Sequence, residues 1–278
     1  MAKMQVDALI KSIKLLKPLS ATAQKVLKLL DDPDSDIEEV KDAILLDPAL
    51  TADILRISNS AYFAFRQKIT SVRHAIILLG RKVIKKIIFT AQMGPVFKHQ
   101  LKGYPGQENA LWEHSLVAAV AAELIAERLG YQDKEQAYIT GLLHDIGKLI
   151  LDPYVEKAQK EIETALKEGK NPLKVEKELF DYDHAEIGGL IAENWQLPSS
   201  IKEAITYHHS PTEANEEVML ALITYLADSL AVSVCPAGFV TKPSTEASLL
   251  SELGLTLADM EEITLRVLAA KEEISTLS

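Results

Sequence analysis

GLLHDIGKLI, residues 141 to 150, sets two polar, metal-capable side chains, His144 and Asp145, side by side in a run that is otherwise nearly all apolar. Leu142, Leu143, Ile146 and Leu149 flank the pair. This pattern predicts one packed side of a core helix, with His144 and Asp145 turned toward a partly enclosed cavity. An ionised carboxylate in such surroundings is costly unless it is paired, neutralised or bound to a metal. The fold therefore depends on what the rest of the chain sends to meet the pair.

Histidines supply the answer. Of the seven in the chain, five lie between residues 114 and 209. His114 begins the helical pattern HSLVAAVAAELIAERLG, with Val117, Ala118, Ala121 and Leu124 on its face. His184 begins HAEIGGLIAENW, with Ile187, Gly188 and Ile191 at helical spacing, and His208-His209 close AITYHH just before Pro211. Asp228 stands within VMLALITYLADSLAVSV, the most apolar pattern in the chain, with no Lys or Arg within a helical turn. Each residue alone has an ordinary explanation as a hydrogen-bonded core histidine, a capping aspartate or a polar helix end. Their joint order, His, His-Asp, His, His-His, Asp, points to one mixed nitrogen and oxygen site. Such a site suits one or two divalent transition-metal ions, Fe, Mn, Zn or Ni.

Composition bounds the alternatives. The chain has 278 residues, 47% hydrophobic and 25% charged, enough to bury a large core. A single cysteine, Cys235, excludes an internal disulfide, and the absence of a leader pattern sets the expectation of a cytoplasmic protein. Residues 218 to 240 approach membrane-spanning length, but Asp228, Pro236 and Gly238 favour a buried helix and no membrane role. Residues 1 to 102 hold 17 Lys and Arg against 10 Asp and Glu, a balance of +7 that leaves the remainder at −17. The acidic half repels a phosphate backbone and argues against nucleic acid as a partner. The basic cluster Arg81 to Lys86 is read as a solvated helix face, with an anionic partner as the alternative.

Apolar residues recur at three and four positions through the first hundred residues, and sustained period-two alternation is hard to find. The expected fold is all-α. Ser20 and Asp36 are predicted helix caps, and Asp47-Pro48 ends one helix and opens the next. KHQLKGYPGQENA, residues 98 to 110, breaks the pattern and marks a boundary between a helical subdomain, 1–105, and a helical metal-binding subdomain, 106–278. Within the first, Tyr62, Phe63 and Phe65 near Arg66 and Lys68 make a candidate recognition surface.

The order of metal-capable residues resembles the HD superfamily of metal-dependent phosphohydrolases, whose central motif LLHDIGK approaches. Over roughly residues 10 to 235 the chain more narrowly resembles the HDOD family. The resemblance rests on Asp47-Pro48-Ala49-Leu50, Asn59-Ser60 and Leu78-Leu79-Gly80 in the family's order. It implies an all-helical bacterial signalling or regulatory protein, with the amino-terminal subdomain packed with an HD-type bundle. HD-GYP phosphodiesterases share the ligand order, but the segment that follows their histidine pair is replaced here by SPTEANEEV, so cyclic di-GMP hydrolysis is not carried over. Many HDOD proteins resemble HD domains that have lost ligands, whereas this chain keeps every position.

By that resemblance, His114, His144, Asp145 and Asp228 surround one metal, and Asp145 bridges to a second held by His184, His208 and His209. Two such cations would activate water and clamp phosphoryl oxygens, with Asp145 and Lys148 as the catalytic candidates. Lys148 would offer positive charge to phosphate, and its alternative is a surface lysine near a helix end. The expected function is a regulatory module binding a nucleotide, another phosphate-bearing small molecule, or a signalling protein partner. A metal-dependent phosphohydrolase is the alternative, and an adaptor stabilised by its histidines is a third class.

Overall fold

Start signals position the helices of the amino-terminal part. The computed structural model describes residues 11–13, 16, 19–60, 68–98, 100–235, 237–239 and 247–274. Ser20 caps α1 (Ala21–Asp31) by accepting from Ala23 N, and Asp36 caps α2 (Ile37–Leu45) by accepting from Glu39 N. Asp47 caps α3 (Pro48–Ser58), where Pro48 takes a first-turn position whose missing N–H costs nothing. The next helix, α4 (Val72–Phe97), is interrupted at Gly80, whose φ of 78° lies in the left-handed region that favours glycine.

The described residues divide into two compact units, one within Lys17–Val96 and Ala269–Ser278, the other within Met1–Leu16 and Phe97–Leu268. In the smaller unit α1 packs on α2 and α2 on α3. The Arg81 guanidinium binds the backbone oxygens of Leu29, Asp32 and Ser35 together with the Ser35 hydroxyl, tying α4 to the turn between α1 and α2. Lys85 pairs with Asp31, and Lys86 is buried. The basic cluster is therefore spent largely inside this unit and is not a simple solvated face. Asn59 clasps Ile69, accepting from its N–H and donating to its carbonyl. Of the candidate recognition surface only Lys68 falls within the described residues; Tyr62, Phe63, Phe65 and Arg66 lie outside them.

The larger unit runs through α5 (Ala110–Arg128), α6 (Lys134–Leu143), α7 (Lys148–Lys157), α8 (Gln159–Lys167) and α9 (Pro172–Phe180). It continues with α10 (His184–Asn194), α11 (Ser199–Thr206), α12 (Val218–Val234) and α13 (Ala247–Glu252), and α14 (Leu257–Ile274) begins in this unit and passes at Ala269 into the residues of the smaller one. No strand occurs among the described residues, so the chain is all-α. Helix α5 is buried from Leu111 to Ala126 on nearly every side, packing against α6 and α12. Small residues permit that approach: a Cβ added at Gly141 would stand 2.6 Å from the Ala118 carbonyl oxygen. No helix among the described residues is long and apolar enough to cross a membrane. Residues 218 to 234 form α12, whose apolar side chains are buried on most faces.

The opening decapeptide departs from the expected single helix. Helix α6 ends at Leu143, and α7 starts at Lys148. Residues 144 to 147 form consecutive turns, closed by bonds from Ile146 N to Leu143 O and from Lys148 N to Asp145 O. Gly147 allows this break to be used. A Cβ there would overlap the His184 carbonyl oxygen, so the bare backbone lets the start of α10 lie directly on the turn. The leucines and Ile146 still pack as expected, with Leu142, Leu143 and Ile146 buried and Leu149 half-buried.

Gly147→Ala and Gly141→Ala should each destabilise the protein by roughly 1–3 kcal/mol or more, because overpacking meets rigid backbone on the far side. Urea unfolding followed by circular dichroism checks this, and midpoints equal to that of the unchanged protein would contradict the close approach.

Candidate metal centre

Five separate pieces of backbone deliver the side chains. His114 comes from the first turns of α5, four residues inside its start, and His144 and Asp145 come from the turn between α6 and α7. His184 is the first residue of α10, placed there by an Asp183 cap that accepts from Glu186 N while Glu186 accepts from Asp183 N. His208 and His209 follow the end of α11, and Asp228 projects from the middle of α12. All seven predicted ligand positions are brought together. Six of them are buried, and His209 is half-buried.

Three overlapping groups have ligand atoms within 4.8 Å of one another: His184, His208 and His209; His114, His144 and Asp145; His144, His208 and Asp228. His114 Nε2 stands 3.2 Å from His144 Nε2 and 3.1 Å from Asp228 Oδ1. Asp145 reaches both sides, its Oδ2 3.4 Å from His144 Nε2 and its Oδ1 3.3 Å from His184 Nε2. His184 Nε2 lies 3.0 Å from His209 Nε2.

The outer ring atoms fix which nitrogens face inward. His114 Nδ1 lies 2.9 Å from Cys235 O, His144 Nδ1 2.7 Å from Gly141 O, and His208 Nδ1 2.7 Å from Ile205 O. A carbonyl oxygen only accepts, so each Nδ1 carries a hydrogen and each Nε2 turns to the interior, where it takes a proton or offers its lone pair to a cation. His208 Nε2 is buried with no hydrogen-bond partner. Facing lone pairs and an orphaned buried nitrogen require a proton or a cation between them, and the donor set of imidazole nitrogens and carboxylate oxygens fits a divalent transition metal.

The electrostatics carry the same tension. Burial disfavours a charged His144, but Asp145 and Asp228 outweigh it and raise its pKa to about 10. His184 behaves alike, with burial overcome by Glu176 and Asp145, and reaches about 9. Burial, followed by the neighbouring His184, pushes His209 down to about 3, and burial with His209 holds His208 well below its usual value. Asp145 and Asp228 stay ionised: burial alone would raise them, but Lys148 and His144 lower the first, and His114 and His144 the second.

Lys148 is not a surface lysine. It is buried in the first turn of α7, donating to Asp145 Oδ2 at 2.5 Å and to Ala237 O at 3.3 Å. Beside it a small cleft of about 20 Å³ is lined in part by Tyr104, Lys148, Leu173, His184, His209 and Phe239. Sequence reasoning missed Glu176. This buried carboxylate accepts from the Nδ1 and backbone N of His184 at 2.8 and 2.9 Å and from the Tyr104 hydroxyl at 2.9 Å. Burial would raise its pKa, but His184 more than offsets this and leaves it lowered. A signal existed: Glu176 lies one helical turn before buried Phe180 and beside Val175, on the inward side of α9.

Cation binding should release protons, because a ligating imidazole must be neutral whereas His144 and His184 are protonated near pH 7 when no cation is present. Affinity for Zn²⁺ or Mn²⁺ is therefore expected to rise with pH through neutrality and up to about pH 9 to 10. Titration calorimetry in two buffers of different ionisation heat measures the protons directly. Identical binding heats in both would contradict the assignment.

Similarity to known proteins accords with this geometry. Residues 16–211 match the HDOD domain, a stretch that includes six of the seven clustered side chains and stops before Asp228. A protein of Treponema pallidum is 26% identical over 195 residues, 69% of this chain and 37% of that protein, so the chain spans little more than a third of its length. The crystal structure of an HDOD domain protein of unknown function from Geobacter sulfurreducens is 26% identical. It covers 97% of this chain and 99% of its own, with a TM-score of 0.75. A candidate phosphohydrolase from Shewanella amazonensis, 24% identical over 98% of each chain, has the same fold at a TM-score of 0.75. With the family pattern running from Leu16 past the His208-His209 pair, the chain belongs to the HDOD family.

Proposed function

We propose that this HDOD protein is a signalling or regulatory module whose His/Asp cluster holds one or two divalent transition-metal ions and binds a phosphate-bearing small molecule. The observation that carries this reading is the convergence of imidazole Nε2 atoms and two carboxylates beside a cleft that also contains Lys148. His114, His144, Asp145 and Asp228 would hold one ion, and His184, His208 and His209 the other, with Asp145 between them. A divalent cation bound there supplies positive charge to phosphoryl oxygens and activates water.

The chain's own residues define what can enter. Lys148 places an ammonium group on the cleft and is already oriented by Asp145, so a phosphate oxygen meets a positioned donor. Tyr104, Leu173 and Phe239 are among the side chains that line it. The cleft is small, about 20 Å³, and its enclosure suits a small phosphate-bearing compound better than a long polymer, with the walls having to open for a whole nucleotide. The family context and the lack of a recognisable substrate motif favour binding as the role. Hydrolysis is the second reading, favoured by the presence of every HD-type ligand position and by the candidate phosphohydrolase with the same fold.

Nucleotides, cyclic dinucleotides and simple phosphoesters, tested with Fe²⁺, Mn²⁺ and Zn²⁺, separate the readings. The expected outcome is binding of at least one small compound that is lost in Asp145→Ala, without product. Turnover abolished by Asp145→Ala would replace the regulatory reading with the hydrolase. Neither binding nor turnover across the panel would reject both.

A further inference from the structure

The histidines of the cluster are not held alike. His114, His144 and His208 each donate Nδ1–H to a neutral backbone carbonyl, whereas His184 donates to the carboxylate of Glu176. A hydrogen bond to an ionised acceptor is roughly twice as strong as a neutral one and makes the opposite ring nitrogen a better donor to a cation. Glu176 Oε2 also takes the backbone N–H of His184 at 2.9 Å, so one oxygen fixes both the main chain and the ring of that residue.

The second oxygen is equally committed. Glu176 Oε1 accepts from the Tyr104 hydroxyl at 2.9 Å, and both residues are almost fully buried. Tyr104 is itself held from both sides of its backbone. Gly103 N donates to Asp152 Oδ1 at 2.7 Å, and Pro105 O accepts from Gly238 N at 2.8 Å. Gly103 permits that seat, since a Cβ there would stand 2.6 Å from backbone atoms of Asp152 and Glu156. The carboxylate cannot swing away from His184 without breaking three hydrogen bonds.

We propose that Glu176, anchored by Tyr104, is the positioning residue for His184, and that the His184, His208 and His209 group is thereby the tighter cation site of the cluster. The other half is weakened by a competitor: Lys148 already occupies Asp145 Oδ2, the oxygen that faces His144. Loading is therefore ordered, with the Glu176-backed group filling first. The inference rests on the metal-centre reading above and adds residues and an order to it.

Titration of the chelator-treated full chain with Co²⁺, followed by its visible absorption, tests this. Two binding steps are expected. Glu176→Gln, which keeps the size and one acceptor but removes the charge, should weaken the tighter step about 10–100-fold and leave the weaker one within about twofold. Tyr104→Phe should weaken the same step by a smaller factor. Thermal unfolding of each cation-free variant separates a folding defect from a local one, and if Glu176→Gln does not fold, Tyr104→Phe decides. Folded variants that bind Co²⁺ as the unchanged protein does would overturn this inference alone. No Co²⁺ uptake by the unchanged protein would overturn the metal centre and this inference with it.

Discussion

Lone pairs of imidazole nitrogens facing one another across about 3 Å, inside a helical core, are the constraint on which the larger unit depends. Apolar burial brings α5, α6 and α12 together, but the same burial removes the water that would separate those nitrogens and the two carboxylates. Something positive must stand among them. In the cation-free protein that role falls to protons on His144 and His184 and to the Lys148 ammonium. Each is a partial answer, since His208 Nε2 still has no partner.

Local chain geometry serves this convergence. His144 and Asp145, adjacent in the turn between two helices, both reach the cluster. Gly147 then lets the start of α10 sit on that turn and bring His184 within reach of Asp145. The capped start of α10, the end of α11 and the middle of α12 complete the set from three directions. A buried site assembled from such separate segments would link cation binding to the packing of the whole unit, as the proposed regulatory role requires.

Much of this was legible in the sequence because helical periodicity and polar intrusions into apolar runs are local signals. The caps at Ser20, Asp36 and Asp47 are each set by a side chain reaching a backbone N–H a turn ahead, and the sequence spacing shows them. The break at residues 144 to 147 was not legible, because the local pattern permits a continuous helix and the close approach of the His184 carbonyl to Gly147 is a tertiary feature. Lys148 was ambiguous for a related reason: its burial depends on Asp145 and on the distant backbone of Ala237. Glu176 stayed hidden in a charged-looking stretch, KVEKELFDYD, where its helical spacing to Phe180 hints at burial but its partners, Tyr104 and His184, are visible only in three dimensions.

The central claim is that a transition-metal cation completes the cluster, and elemental analysis of the purified protein tests it most directly. After expression with metal supplementation, the account predicts about one to two equivalents of a first-row transition metal per chain, with the metal's identity set by availability as well as affinity. A content below about 0.2 equivalent in folded protein would contradict it, because a site with this ligand set should retain its cation through purification.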